Sequence, residues 1–211
     1  VRLSSFLTRR VAAVAEQQQR RRRRQSGVSA SDSDEEDDKN NNSVYLCGAP
    51  GTGKTLTVKR SLMALSEHCE AADLPQPAVH WASGTDYHVA GSKKIFADLL
   101  AAFRPGASAA DDAAGAQQRL ERLLAGTGGN KGGEPGQSYV LVLDECDQLL
   151  NRNHSVLYTL FTWAAAARSR FVVVGIANGV DFPQRCLRLL GPAGAAPEVL
   201  VFQAYDAAQL R

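Results

Sequence analysis

The chain has 211 residues, 44% hydrophobic and 22% charged, the composition of a soluble globular chain able to bury one main core. Its net charge of +2 averages two opposed blocks, Arg20–Arg24 and the acidic run Asp32, Asp34, Glu35, Glu36, Asp37 and Asp38, so the average says little about partners. The four cysteines stand far apart with no C-x-x-C pair, and no apolar run approaches the ~20 residues of a membrane helix; zinc sites, disulfide frameworks and membrane contact are not signalled, and a reducing compartment is expected.

The chain opens on "VRLSSFL" with neither a methionine nor the apolar core of a secretory signal, so the sequence is expected to be incomplete at its start. Leu3, Phe6, Leu7, Val11 and Val14 recur at helical spacing, which predicts an amphipathic helix from about Ser5 to Gln19 in an N-terminal unit of residues 1–19. Residues 20–42 follow as a charged insertion with almost no apolar side chains; it cannot bury enough surface to offset the entropy of ordering, so disorder is expected. Its basic half reads either as a nuclear-localisation or nucleic-acid patch or as a solvated linker. Ser31 and Ser33, upstream of carboxylates, are candidate sites for an acidophilic kinase.

From residue 43 to residue 211 short β-rich runs alternate with helical ones, the pattern of a parallel sheet with crossover helices. The predicted strands are Val44–Cys47, Val79–Ala82, Tyr139–Asp144, Phe171–Ala177 and Val199–Phe202. They read as continuous apolar runs because helices cover both faces of such a sheet. Helical stripes fall at Val58, Leu62, Leu65 and Cys69; at Ile95, Leu99 and Phe103; at Leu120, Leu123 and Leu124; and at Val156, Leu157, Leu160 and Phe161. The connector "GTGGNKGGEPGQS", residues 126–138, is glycine-rich and polar and is expected to be a flexible surface loop.

The stretch "GAPGTGKT", comprising Gly48, Ala49, Pro50, Gly51, Thr52, Gly53, Lys54 and Thr55, fits G-x-x-x-x-G-K-[ST] with a strand before it and a helix after it. Glycines let backbone amides close around phosphate oxygens, and the following helix adds its positive end. Lys54 would reach the β- and γ-phosphates, and the Thr55 hydroxyl would bind Mg²⁺. The alternative is a structural glycine turn with an incidental lysine. In "YVLVLDECDQLL" a buried strand ends at Asp144 and Glu145. Asp144 suits the metal shell, while Glu145, aimed elsewhere, suits polarising an attacking water. The alternative is that Glu145 and Asp147 charge or cap the next helix. Asn178, at the end of "FVVVGIAN", can hydrogen-bond a γ-phosphate and a water without competing for metal; it also heads an Asn-Gly pair, a common turn.

The order of these motifs, with the phrases "YLCGAPGTGKTLTV", "LVLDECDQLL", "VLYTLFTWA", "VVGIANGVDFPQR" and "VFQAYDAAQL", resembles the AAA+ ATPase domain of the replication initiator family. That family comprises origin recognition complex subunit one, the cell division control protein six loader and their archaeal relatives. The phrases are divided between origin-recognition and loader flavours. The resemblance implies a P-loop α/β three-layer sandwich with a five-stranded parallel sheet. It further implies ATP and Mg²⁺ as ligands, with Lys54 and Thr55 as Walker A, Asp144 and Glu145 as Walker B and Asn178 as sensor one. Implied partners are neighbouring initiator subunits that complete the ATP site with an arginine, origin DNA, and the replicative helicase to be loaded; the implied location is the nucleus. Arg185 and Arg188 are the candidate trans-acting arginines of this chain, and Arg20–Arg24 its candidate DNA contact. Relatives continue into a helical lid and a winged helix, and the sequence stops before either, so a fragment of a longer protein is expected. Three functions stay open: a slowly hydrolysing initiator ATPase, a nucleotide-gated assembly module with little or no turnover, and another AAA+ machine such as a clamp loader.

Overall fold

The computed structural model describes residues 2–25, 41–90, 93–104, 113–125, 136–150, 154–166, 169–179 and 190–203. The described elements are α1 (Arg2–Gln25), β1 (Ser43–Gly48), α2 (Lys54–Ala71), β2 (Ala78–Ser83), α3 (Gly84–Ala90), α4 (Lys94–Phe103), α5 (Ala113–Leu124), β3 (Tyr139–Asp144), α6 (Asp147–Leu150), α7 (His154–Ala165), β4 (Phe171–Ala177) and β5 (Glu198–Phe202). Five strands pair in the order β2-β3-β4-β1-β5, and every pairing is parallel. The five predicted strands are thus the observed ones, extended by a residue or two where the ladder outruns the apolar run.

Alternation along the strands builds two cores, because successive side chains point to opposite faces. Tyr45, Cys47, Leu141, Leu143, Phe171 and Val173 meet α4, α5 and α7 on one face. Val44, Leu46, Val140, Val142, Val172, Val174 and Ile176 meet α1 and α2 on the other. The result is a three-layer sandwich whose central strands are hidden on both sides. Strand β2 is an edge, with Val79 exposed, and β5 closes the opposite edge with Val201 exposed.

Helix α1 departs from expectation in two ways. It is part of the core: Leu3, Phe6, Leu7 and Val11 are at most 2% exposed, and Ser4 donates to Ser61 of α2 at 3.1 Å. It also runs six residues past Gln19, to Gln25, so Arg20–Arg24 are helical backbone rather than the start of a disordered insert. Docked turns have already met the nucleation cost, arginine is a good helix former, and basic residues suit a helix C-terminus. At the other end of the insert, Asn41 and Asn42 are fixed rather than disordered. The Asn41 side chain donates to the Ala196 carbonyl, and the Asn42 side chain donates to the Ser169 carbonyl at 3.1 Å. The Asn42 carbonyl accepts from Val173 at 2.9 Å. Residues 26–40, with Ser31 and Ser33, and residues 126–135 of the connector lie outside the described residues. The connector's last residue, Ser138, is buried, and its carbonyl accepts from Ala78 at 2.9 Å. No described helix is long and apolar enough to cross a membrane.

Candidate functional site

Parallel strands deliver their C-terminal ends to one edge of the sheet, and here a cleft of about 640 Å³ opens at that edge. Pro50, Gly51, Thr52, Gly53, Lys54 and Thr55 line one side, and Asp144, Glu145 and Asn178 the other. Gly48 and Ala49 contribute their carbonyls rather than a wall. The Lys54 ammonium, on a side chain 5% exposed, donates to Gly48 O at 2.8 Å and to Ala49 O at 2.9 Å. A buried ammonium needs such acceptors. Burial pushes the neighbouring Cys47 thiol above its ordinary pKa, with the Lys54 charge opposing.

The loop is shaped for an anion. Gly51 and Gly53 take φ of 78° and 82°, left-handed values that glycine adopts without steric cost. Gly53 is the N-cap of the 18-residue α2, with no side-chain cap and no acidic residue in the first turn. The first amides of that helix and the positive end of its dipole therefore face the cleft uncompensated, which suits phosphate oxygens.

Across the cleft, Thr55 Oγ1 donates to Asp144 Oδ2 at 3.3 Å. A hydroxyl and a carboxylate at this separation fit a magnesium ion, which takes one or two protein oxygens and shares the phosphates of its substrate. The other carboxylate oxygen of Asp144 accepts from the Glu145 amide at 3.0 Å. Glu145 itself is exposed with φ of 50°, in the left-handed region, so the chain turns sharply where β3 ends and Glu145 diverges from Asp144. The Thr85 hydroxyl, just past β2, donates to the Glu145 carboxylate. Gly84 is required there: a Cβ at that position would lie 2.3 Å from the Glu145 carbonyl oxygen.

Asp147 stands behind this turn. Burial, then the nearby Glu145 charge, raise its carboxyl pKa, and the backbone amides of Asp147, Asn178 and Gln148 oppose the rise.

All five side chains singled out from the sequence, Lys54, Thr55, Asp144, Glu145 and Asn178, thus border one cleft. Thr85, Trp81, Ser83, Leu56 and Ile176 were missed, although all but Thr85 line it. The "SGT" at the end of β2 was the available signal, readable only once β2 is known to lie beside β3. Arg185 and Arg188 lie outside the described residues, and of Arg20–Arg24 the helical backbone alone is described.

The family model described as AAA domain matches residues 36–181. A cell division control protein 6 homolog from Oryza sativa is 30% identical over 168 residues, covering 80% of this chain and 31% of that protein. The human homolog is 32% identical over 170 residues, with 80% and 28% covered. Human origin recognition complex subunit 1 is 29% identical over 171 residues, with 80% and 18% covered. The chain therefore spans less than a third of the length of these relatives. Among solved structures, Drosophila ORC bound to DNA superposes with a TM-score of 0.63 at 27% identity, covering 82% of this chain and 39% of that one. The Aeropyrum pernix ORC1 protein in complex with DNA shares the fold, with a TM-score of 0.58 at 21% identity over 97% of this chain and 46% of that one. With a strand-loop-helix cradle facing paired carboxylates across a parallel sheet edge, the chain belongs to the AAA domain family, as an AAA+ domain of the replication initiators.

Proposed function

We propose that this domain binds Mg·ATP in the cleft and hydrolyses it slowly, as one subunit of a nuclear complex that assembles on replication origins and loads the replicative helicase. The observation that carries the reading is the approach of Thr55 Oγ1 to Asp144 Oδ2 at 3.3 Å beside the uncapped start of α2. Magnesium would supply charge neutralisation to the phosphates at this site. Thr55 and Asp144 would hold it. Lys54 exchanges the Gly48 and Ala49 carbonyls for phosphate oxygens, and the amides of the loop from Gly48 to Thr55 take up the remaining negative charge. Glu145 orients a water and accepts its proton, and Asn178 hydrogen-bonds the γ-phosphate.

The similarity to origin-recognition and cell division control proteins supports the replication role. In this reading a neighbouring subunit completes the site with an arginine, Arg185 or Arg188 does the same for the next subunit, and the arginines of α1 meet DNA phosphates without reading sequence.

A second reading is favoured by one contact. The Thr85 hydroxyl occupies the Glu145 carboxylate, which suits a domain that binds ATP to hold an interface and turns over little.

Calorimetric titration and steady-state hydrolysis separate the possibilities. Lys54→Ala loses Mg·ATP binding, whereas Glu145→Gln keeps it and lowers turnover by roughly a hundredfold or more. Full affinity in Lys54→Ala would remove the nucleotide assignment. Equal background hydrolysis in wild type and Glu145→Gln would leave the assembly module.

A further inference from the structure

At the tip of the phosphate loop, Pro50 and Gly51 form a tight turn between Ala49 and Thr52. Proline fixes its own φ, and Gly51 supplies a φ of 78°, a pairing that suits the two central positions of a type II turn. In such a turn the first carbonyl ordinarily accepts from the amide of the fourth residue, here Ala49 O from Thr52 N–H. A carbonyl oxygen has two lone pairs, and on Ala49 side chains take both. The Thr52 hydroxyl donates to it at 2.8 Å and the Lys54 ammonium at 2.9 Å. Lys54 Nζ also lies 3.5 Å from Thr52 Oγ1. An ammonium accepts nothing, so the hydroxyl proton turns away from it and toward Ala49 O. Thr52 is only 6% exposed, yet among the described residues its own amide donates to no backbone carbonyl in ordinary hydrogen-bond geometry. A covered amide of this kind needs an acceptor from elsewhere.

We infer that the Thr52 hydroxyl positions its own backbone amide: it takes over the bond that would close the turn, and so leaves the amide free to donate to a phosphate oxygen. The consequence for binding rests on the Mg·ATP reading of the cleft, but the sharing of Ala49 O within the loop does not. The hydroxyl matters most once Lys54 moves to phosphate, because one lone pair of Ala49 O is then released. Without the hydroxyl, the amide falls back on that carbonyl, the turn closes in the ordinary way, and the anion loses one donor. Serine carries the same hydroxyl, whereas valine keeps the shape of threonine and cannot donate.

The test uses the whole chain and two readouts. In the nucleotide-free chain, NMR follows solvent exchange of the residue-52 amide, expressed relative to its rate in the unfolded chain. Thr52→Val slows it roughly tenfold or more, Thr52→Ser leaves it within about threefold, and the Gly53 amide is unchanged in both. The sign is diagnostic, since a loop that had simply loosened would exchange faster at both residues. Unchanged or faster exchange at residue 52 in Thr52→Val overturns the inference. Should that variant fail to fold, Thr52→Ala, which also lacks the hydroxyl, carries the same comparison. Calorimetric titration supplies the second readout: Thr52→Val weakens Mg·ATP binding roughly tenfold or more, and Thr52→Ser less than about threefold. Undiminished affinity in Thr52→Val overturns the role of the freed amide. A wild-type chain that binds no Mg·ATP counts against the nucleotide reading instead, and the exchange comparison still decides what the hydroxyl does.

Discussion

The smallest groups at the site decide what the larger ones can do. Lys54 rests on two carbonyls of its own loop, so binding an anion is an exchange of partners inside a shaped shell, with little new desolvation of the ammonium. Gly84 performs the equivalent service for the acidic turn, because its missing Cβ is what allows the Glu145 carbonyl to approach. Gly84→Ala places a methyl 2.3 Å from that oxygen, and backbone on both sides must shift. Overpacking of this kind costs about 1–3 kcal/mol. The displaced carboxylate should lose a further factor of roughly 100 in turnover. Chemical denaturation and single-turnover hydrolysis check the two parts separately; normal turnover in a destabilised Gly84→Ala chain would detach the turn from the chemistry. Nothing in the local sequence required Gly84, since a glycine at a strand end reads as ordinary punctuation until the neighbour across the sheet is known.

At the scale of elements, α1 stabilises the very helix that carries the cradle. Its apolar face joins Val58, Leu65 and Cys69 of α2 in a single cluster over β1, β3 and β4, so α2 is held between a sheet and a helix. Leu7 is fully buried, whereas Leu56 on α2 is 54% exposed. Leu7→Ala is expected to cost about 3 kcal/mol, the usual loss for a buried leucine that leaves a cavity. Leu56→Ala should change stability by no more than about 0.5 kcal/mol. Urea midpoints of the two variants test the assignment, and comparable losses would mean that α1 is not docked as described. Strands were legible because a doubly covered strand must be apolar throughout, and helices because their buried stripes repeat every three or four residues. The far end of α1 was not: five adjacent arginines look like a solvated chain, and helix propagation from a docked stem is a property of the stem.

For the molecule as a whole, the order β2-β3-β4-β1-β5 puts β4 between the strand of the phosphate loop and the strand of the carboxylates. Asn178 therefore emerges between Lys54 and Asp144 by topology, and three motifs far apart in sequence reach one cleft without any long loop. That convergence was legible, since parallel strands present their C-terminal ends together. The Thr85 contact was not, because it depends on β2 pairing with β3 rather than with β1, its predecessor in the chain. The cleft also joins both layers of helices: α2 starts on its rim from one face, and the turn after β3 leads through α6 to α7 on the other. A ligand that bridges Thr55 and Asp144 thus adds a tie between the start of α2 and the end of β3, beyond the sheet that the two cores share. Mg·ATP at about a hundred times its dissociation constant should raise unfolding free energy by about 2.7 kcal/mol. The gain should vanish in Lys54→Ala and persist in Glu145→Gln, because in the proposed reading the first residue contacts the ligand and the second acts on water. Thermal or urea unfolding with and without Mg·ATP measures it directly. A gain of equal size in Lys54→Ala would show that the stabilising ligand sits elsewhere on the molecule.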